Sequence, residues 1–342
     1  MSKETDIANI LANNIDYHPF KSTTGTPLFF DEFALAKQYA SLFGIVKEAD
    51  LEKFKKAFKI ATEGQGGEIS KVNSLISSAL LPLLVFFRLF GNKENISIRW
   101  NLPGIEEEVI FDRCFYEVRN EVIKLPSCVD VVLYSSTQNI MLFLESKFTE
   151  IYTLETKKKY GKGYIDLYKQ EQIKDALTPK LRVTSNKDNL ILESDNPCYI
   201  EGIKQTISHL IGLVRGPKDY GTKFPEGYSK EYYKSYNEAF NRSRLSSRLY
   251  YGTILYDLTT LGVDGNSFTD YYELYSDIIG KHGESIIKAI KEWAESKRYT
   301  VSSKNDIHII EHPLTYQQLF QYDNNLELLK DYDIIGKFYN LE

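Results

Sequence analysis

In the run CVDVVLYSSTQNIMLFLESKF, residues 128–148, three charged side chains interrupt or end otherwise apolar stretches. Asp130 lies inside the first stretch, Glu145 ends the second, and Lys147 follows two positions later. A carboxylate inside a strand is costly to bury unless it is paired or binds a metal. Strand alternation puts Glu145 and Lys147 on one face. If the two stretches pair through the turn between them, Asp130 lies beside Glu145. Two adjacent carboxylates repel, so they call for a cation, and oxygen-only ligands favour Mg²⁺ or Mn²⁺. A metal held this way binds a phosphate oxygen and lowers the pKa of a water. A lysine beside it can orient or deprotonate that water and stabilise the charge that develops. That is sufficient apparatus for phosphodiester hydrolysis. The competing reading of the same residues is an ion pair at a strand end.

The chain supplies its own controls for the tripeptide. Glu295-Ser296-Lys297 repeats it inside WAESKR, which reads as helix. Glu155-Thr156-Lys157 is a looser match on a polar segment with little strand character. Only the Glu145 copy follows an apolar run and has an aspartate in the preceding one. Glu121, on NEVIKLPS, is near enough to add a third carboxylate, and Glu117 competes for that role because it shares Glu121's parity. Gln205 and His209 are four apart on YIEGIKQTISHLIGLVR and share a helix face. For His209, a satisfied or exposed side chain is the plainer reading.

The elements that must position these residues follow from periodicity. Residues 31–61 carry apolar side chains at helical spacing with a break near Gly44. Residues 63–67 (EGQGG) read as a loop, and helix then continues to Phe90 with a kink at Pro82. Residues 96–100, 107–125, 128–134 and 139–148 read as strands, the last three as neighbours joined by short turns. Residues 150–195 are polar and have no clear period. Residues 199–215 form an amphipathic helix with Ile203, Ile207, Leu210, Ile211 and Val214 on its apolar face. A helical segment around 229–243, a strand at 248–259, helix over 269–298 and a strand with a turn at Pro313 complete the chain. This order predicts an α/β sandwich, with a helical part over residues 1–92 packed on a domain of residues 93–342 as one continuous unit.

The balance of 42% hydrophobic and 26% charged residues allows a sizeable core and excludes a disordered chain. A formal net charge of -5 argues against a protein that coats nucleic acid by overall positive charge, but permits a local basic groove. The three cysteines are odd in number and widely spaced, which argues against a zinc site or a disulfide framework and fits a reducing cytoplasm. The start MSKETDIANILANNIDYHPF has no apolar run behind basic residues, so no signal peptide is expected. The apolar run Leu75 to Phe87 is too short for a bilayer and reads as a buried helix, so no membrane partner is expected.

Taken together, EVIKLPSCVDVVL, LFLESKFTE and CYIEGIKQTISHL resemble the PD-(D/E)XK nuclease superfamily, and within it a bacterial restriction-endonuclease-like family. The resemblance covers about residues 115 to 215. It implies a central mixed β-sheet flanked by helices and a Mg²⁺- or Mn²⁺-dependent nuclease acting on DNA, of restriction or defence type. Carried over by position, Asp130 and Glu145 become metal ligands, Lys147 the catalytic lysine and Glu121 the additional acid. Gln205 corresponds to the glutamine of a Gln-x-x-x-Tyr pattern, although His209 stands where the tyrosine would be. Cutting both strands would call for a homodimer. Two basic segments, KKKYGKGY from Lys157 and KEYYKSYNEAFNRSRLSSRLYY from Lys230, are candidate phosphate contacts with base stacking on tyrosines. The alternative is a catalytically inactive nuclease fold that binds DNA or a protein partner.

Overall fold

The computed structural model describes residues 3–14, 35–63, 74, 76–91, 96–123, 126–217, 220, 228–263, 266–302 and 306–341. Most of the expected 63–67 loop lies outside these residues. Among the described residues, four helices come first: α1 (Lys3–Asn13), α2 (Leu35–Leu42), α3 (Glu48–Thr62) and α4 (Leu80–Phe86). The break between α2 and α3 falls at Gly44, whose φ of 68° lies in the left-handed region. Every residue of α4 is buried, as the apolar run requires. Pro82 does not kink a long helix. It lies in the first turn of α4, where its missing N–H costs no helical bond.

β1 (Ile98–Trp100) and β2 (Val109–Phe111) form a separate antiparallel ribbon. β3 (Arg113–Asn120), β4 (Ser127–Ser135) and β5 (Ile140–Lys147) follow as an antiparallel meander. The segment that lacked a readable period folds as β6 (Glu155–Gly161), the short helices α5 (Ile165–Tyr168) and α6 (Glu171–Leu177), β7 (Arg182–Ser185) and β8 (Asn189–Cys198). Its three strands make a second antiparallel sheet with β8 in the middle. α7 (Ile200–Arg215) and α8 (Lys230–Leu245) lead to β9 (Arg248–Leu255), which pairs parallel with β5. α9 (Asn266–Tyr275), α10 (Lys281–Ser296), β10 (Asp306–Ile309), β11 (Leu314–Thr315), α11 (Tyr316–Phe320) and α12 (Asp333–Tyr339) complete the chain. Pro313 separates β10 from β11, and Thr315 opens α11 through a capping box with Gln318.

The central sheet runs β10-β9-β5-β4-β3, with β11 also paired to β9. It is mixed, because β9 is parallel to β5, β10 and β11 while the meander is antiparallel. Helices flank it, and α7 packs on β3, β4 and β9. All eight residues of β5 are buried, as befits a central strand covered on both faces. The N-terminal helices share one apolar core with the sheet. Cys114 Sγ on β3 donates to the Phe86 carbonyl at 3.2 Å, and Phe54 meets Phe87 edge-on at 5.5 Å. α12 closes against the same helices, with Phe338 edge-on to Phe43 at 5.4 Å. The boundary at residue 92 is therefore a change of texture rather than a break in the core. No helix among the described residues is long and apolar enough to cross a membrane.

Candidate active site

Strand register assembles the carboxylates. Tyr116 pairs with Val131 and Val118 with Val129, which puts Glu117 across from Asp130. Val131 pairs with Leu144, so the next step along the two strands puts Asp130 across from Glu145. Glu117, Asp130 and Glu145 thus stand abreast on three neighbouring strands, about 4.8 Å apart from strand to strand. All three line one cleft of about 310 Å³, together with Gln205 and His209 of α7. Glu117 is only 5% exposed and has a φ of 50° within its strand. A left-handed glutamate costs of order 1 kcal/mol, and such cost concentrates at functional positions.

Each carboxylate has a distinct setting. The last regular rung between β4 and β5 is Val131 with Leu144, and beyond it Asp130 Oδ2 accepts the Ser146 backbone N–H at 2.7 Å. The side chain replaces the missing strand partner and is held in place by it. Glu145 Oε1 accepts Lys147 Nζ at 2.6 Å, and both side chains are buried. His209 Nε2 stands 3.0 Å from Glu145 Oε2, without a well-directed hydrogen bond. On the other side of the ring, His209 Nδ1 is bonded to the Ser127 hydroxyl. A chain of contacts therefore runs from Ser127 through His209 and Glu145 to Lys147.

The electrostatics follow from burial and pairing. Burial alone would raise the Glu145 pKa, but the Lys147 ammonium and His209 outweigh it and hold the carboxyl at about 2. Burial opposes the charge of Lys147 as well, but Glu145, and after it Tyr199, Glu150 and Asp130, push its pKa well above the ordinary range. Lys147 is therefore a fixed ammonium and not a base in this arrangement.

α7 brings Gln205 and His209 to the cleft because it lies very close to β3. A Cβ at Gly212 would come within 2.6 Å of Asn120 Cβ, so only glycine fits that crossing. Gln205 Oε1 is buried and accepts no hydrogen bond from the described residues.

Glu121 is not with the others. It follows the end of β3, its carboxylate pairs with Arg215 at 2.9 Å, and it does not line the cleft. The acid that completes the row is Glu117. Parity could not choose between the two, whereas register does. Sequence reasoning did not single out Ser127, since its neighbour His209 comes from a distant helix. The Glu155 copy of the tripeptide does fall on a strand, β6, contrary to the sequence reading. There Lys157 pairs with Glu193 at 2.5 Å in the second sheet. Glu295 and Lys297 lie at the end of α10, where Lys297 pairs with Asp166 at 2.6 Å. The basic segments also separate. β6 flanks the cleft through Lys158, paired with Glu201 at 2.7 Å, and Tyr164 lines it. None of α8 lines this cleft.

Among the described residues, no group of three or more His, Cys, Asp and Glu side chains is arranged to hold a metal ion. Glu145 is turned toward Lys147 instead. The donor chemistry nonetheless suits a hard divalent cation. Asp130, Glu145 and Glu117 offer oxygen only, and Glu145 Oε2 is a buried acceptor still lacking a directed donor. The Cys128 thiol also lines the cleft, and burial raises its pKa above the ordinary value. No known protein family, curated protein or solved structure matches the chain.

Proposed function

We propose that the chain is a divalent-metal-dependent deoxyribonuclease built on a restriction-endonuclease-like fold. The observation that carries this reading is the row Glu117, Asp130 and Glu145 on three adjacent strands, with the Lys147 ammonium on the face of Glu145. Asp130 and Glu145 would hold Mg²⁺ or Mn²⁺, with Glu117 in reach of the same space. When bound, the ion supplies a Lewis acid for a phosphate oxygen and a water of lowered pKa. Lys147 stabilises negative charge on the phosphate undergoing attack, a role its raised pKa suits. His209 and Ser127 fix the orientation of Glu145, and the free Gln205 oxygen accepts from a water or from substrate. Substrate approaches along the cleft edge that Tyr164, Glu201 and Lys204 line.

The second reading is a nuclease fold without catalysis, acting as a DNA- or protein-binding module. One observation favours it: Lys147 and His209 already compensate the Glu145 charge without a metal. Purified protein with Mg²⁺ or Mn²⁺ distinguishes the two. The proposal expects DNA degradation that Asp130→Ala abolishes. Binding without cleavage across metals and substrates would leave the binding module as the function.

A further inference from the structure

A second cleft, of about 570 Å³, lies at the outer edge of the central sheet, between α3, α8 and the edge strand β3. Its floor is apolar, from Ile60, Phe90 and Phe115. Its rim is basic, and the charges there do not cancel. Glu231 is taken by Lys59 at 3.1 Å, and Glu238 by Arg113 at 2.7 Å. Lys56, Lys230 and Lys234 make no ion pair among the described residues. Lys230 and Lys234 are four apart and share one face of α8, while Lys56 comes from α3 across the cleft. Ser235 also lines the cleft, 9% exposed, and its hydroxyl has no hydrogen-bond partner among the described residues. α8 itself is fixed to the sheet edge, because the Tyr232 and Tyr236 hydroxyls donate to the Glu117 and Arg119 carbonyls at 2.7 and 2.9 Å.

We propose that this cleft binds a nucleotide unit, with the base on the apolar floor and the phosphate on Lys56, Lys230 and Lys234. Three ammonium groups without an ion pair among the described residues select an anion. The aromatic floor selects a flat apolar body, as base-stacking platforms do. The unpartnered Ser235 hydroxyl selects a ligand whose body carries hydrogen-bonding groups. Inorganic phosphate satisfies only the first of these, and an acyl chain with a carboxylate leaves the third unmet. The unit is either a free mononucleotide or one residue of a strand. The inference does not rest on hydrolysis in the main cleft, since none of these side chains is shared with it.

Calorimetric titration of the full chain in EDTA tests it, because metal-dependent chemistry is then silent. The probes are dAMP, deoxyadenosine, inorganic phosphate and a 5′-phosphorylated dinucleotide. dAMP is expected to bind saturably, with deoxyadenosine and phosphate each weaker by about tenfold or more. Replacing Lys56, Lys230 and Lys234 together by Ala is expected to weaken dAMP about tenfold, while Asp130→Asn leaves it unchanged. These lysines are exposed, so the variant keeps its fold, verified by circular dichroism. A dinucleotide that binds more tightly than dAMP assigns the unit to a strand, and equal affinity assigns it to the free nucleotide. The proposal is overturned if dAMP shows no saturable binding at millimolar concentration. It is equally overturned if the triple variant binds as the wild type does, or if Asp130→Asn abolishes binding.

Discussion

Replacing Lys147 by Met removes the ammonium but retains most of the apolar stem. Glu145 then stays buried with only His209 beside it. Breaking a buried pair by removing one partner costs about 3–5 kcal/mol. The direction of the Glu145 shift agrees: despite burial, the Lys147 ammonium and His209 hold its carboxyl below the ordinary range, so the charge is stabilised by its partners. Glu145→Gln strands the ammonium instead and is expected to cost about as much. The double replacement removes both charges from the interior, so its loss is expected to be smaller than either single loss, about 2 kcal/mol or less. Urea unfolding at pH 7, followed by tyrosine and tryptophan fluorescence, measures all four proteins. The sign of the pH effect is also fixed. A carboxylate with a depressed pKa contributes stability that is complete above its unfolded value near 4.5 and is lost as the pH falls toward 2. Lys147 has a raised pKa, so its contribution is complete below its ordinary 10.5 and is lost only above that. Wild type should therefore be flat from about pH 5 to 10 as far as this pair is concerned, with an acid loss that the double variant lacks. If the single losses add in the double variant within about 0.5 kcal/mol, the two side chains are not coupled and the reasoning fails.

Three further outcomes follow from the geometry. Glu117→Gln is expected to lower metal-dependent DNA cleavage about 100-fold, while Glu121→Gln changes it less than about twofold and costs about 1–3 kcal/mol of stability, as for a charge-assisted bond to a mostly buried Arg215; initial-rate assays and denaturation of the two proteins check this. Gly212→Ala forces α7 away from Asn120 and should cost about 1–3 kcal/mol, read from the denaturation midpoint, with weaker metal-dependent cleavage because Gln205 and His209 move together. His209→Ala removes the contact to Glu145 Oε2 and leaves Lys147 as its one close partner among the described residues, so direct Mn²⁺ binding measured by electron paramagnetic resonance should weaken about tenfold, and His209→Gln should restore part of it. Equal Mn²⁺ affinity in wild type and His209→Ala would remove His209 from the positioning of Glu145.

The parts of this fold that the sequence made legible are those in which chemistry and period coincide. β4 and β5 are dense in β-branched and apolar residues, and both are buried on the sheet, so their limits and the alternation of Glu145 with Lys147 could be read directly. α7 was readable for the same reason, from an apolar stripe at helical spacing. The second sheet was not readable. β6 and β7 are largely exposed, and ion pairs such as Lys157 with Glu193 decorate them in place of an apolar face, so no period of two appears. The candidate site was legible to the same limit. Asp130, Glu145 and Gln205 line one cleft, and Lys147 is bonded to Glu145 behind it. The third acid was not decided, because Glu117 and Glu121 share parity and only the register of three strands separates them. The link from His209 to Glu145 joins a helix to a strand far apart in sequence, and nothing local in the chain encodes it.

The most direct test of the central claim is cleavage of supercoiled circular DNA by the wild-type chain and by Lys147→Ala, each with Mg²⁺ and with EDTA. The account predicts nicked or linear product from wild type with Mg²⁺ alone, and a loss of at least about 100-fold in Lys147→Ala. Cleavage that persists in EDTA, or that is undiminished in Lys147→Ala, would contradict it.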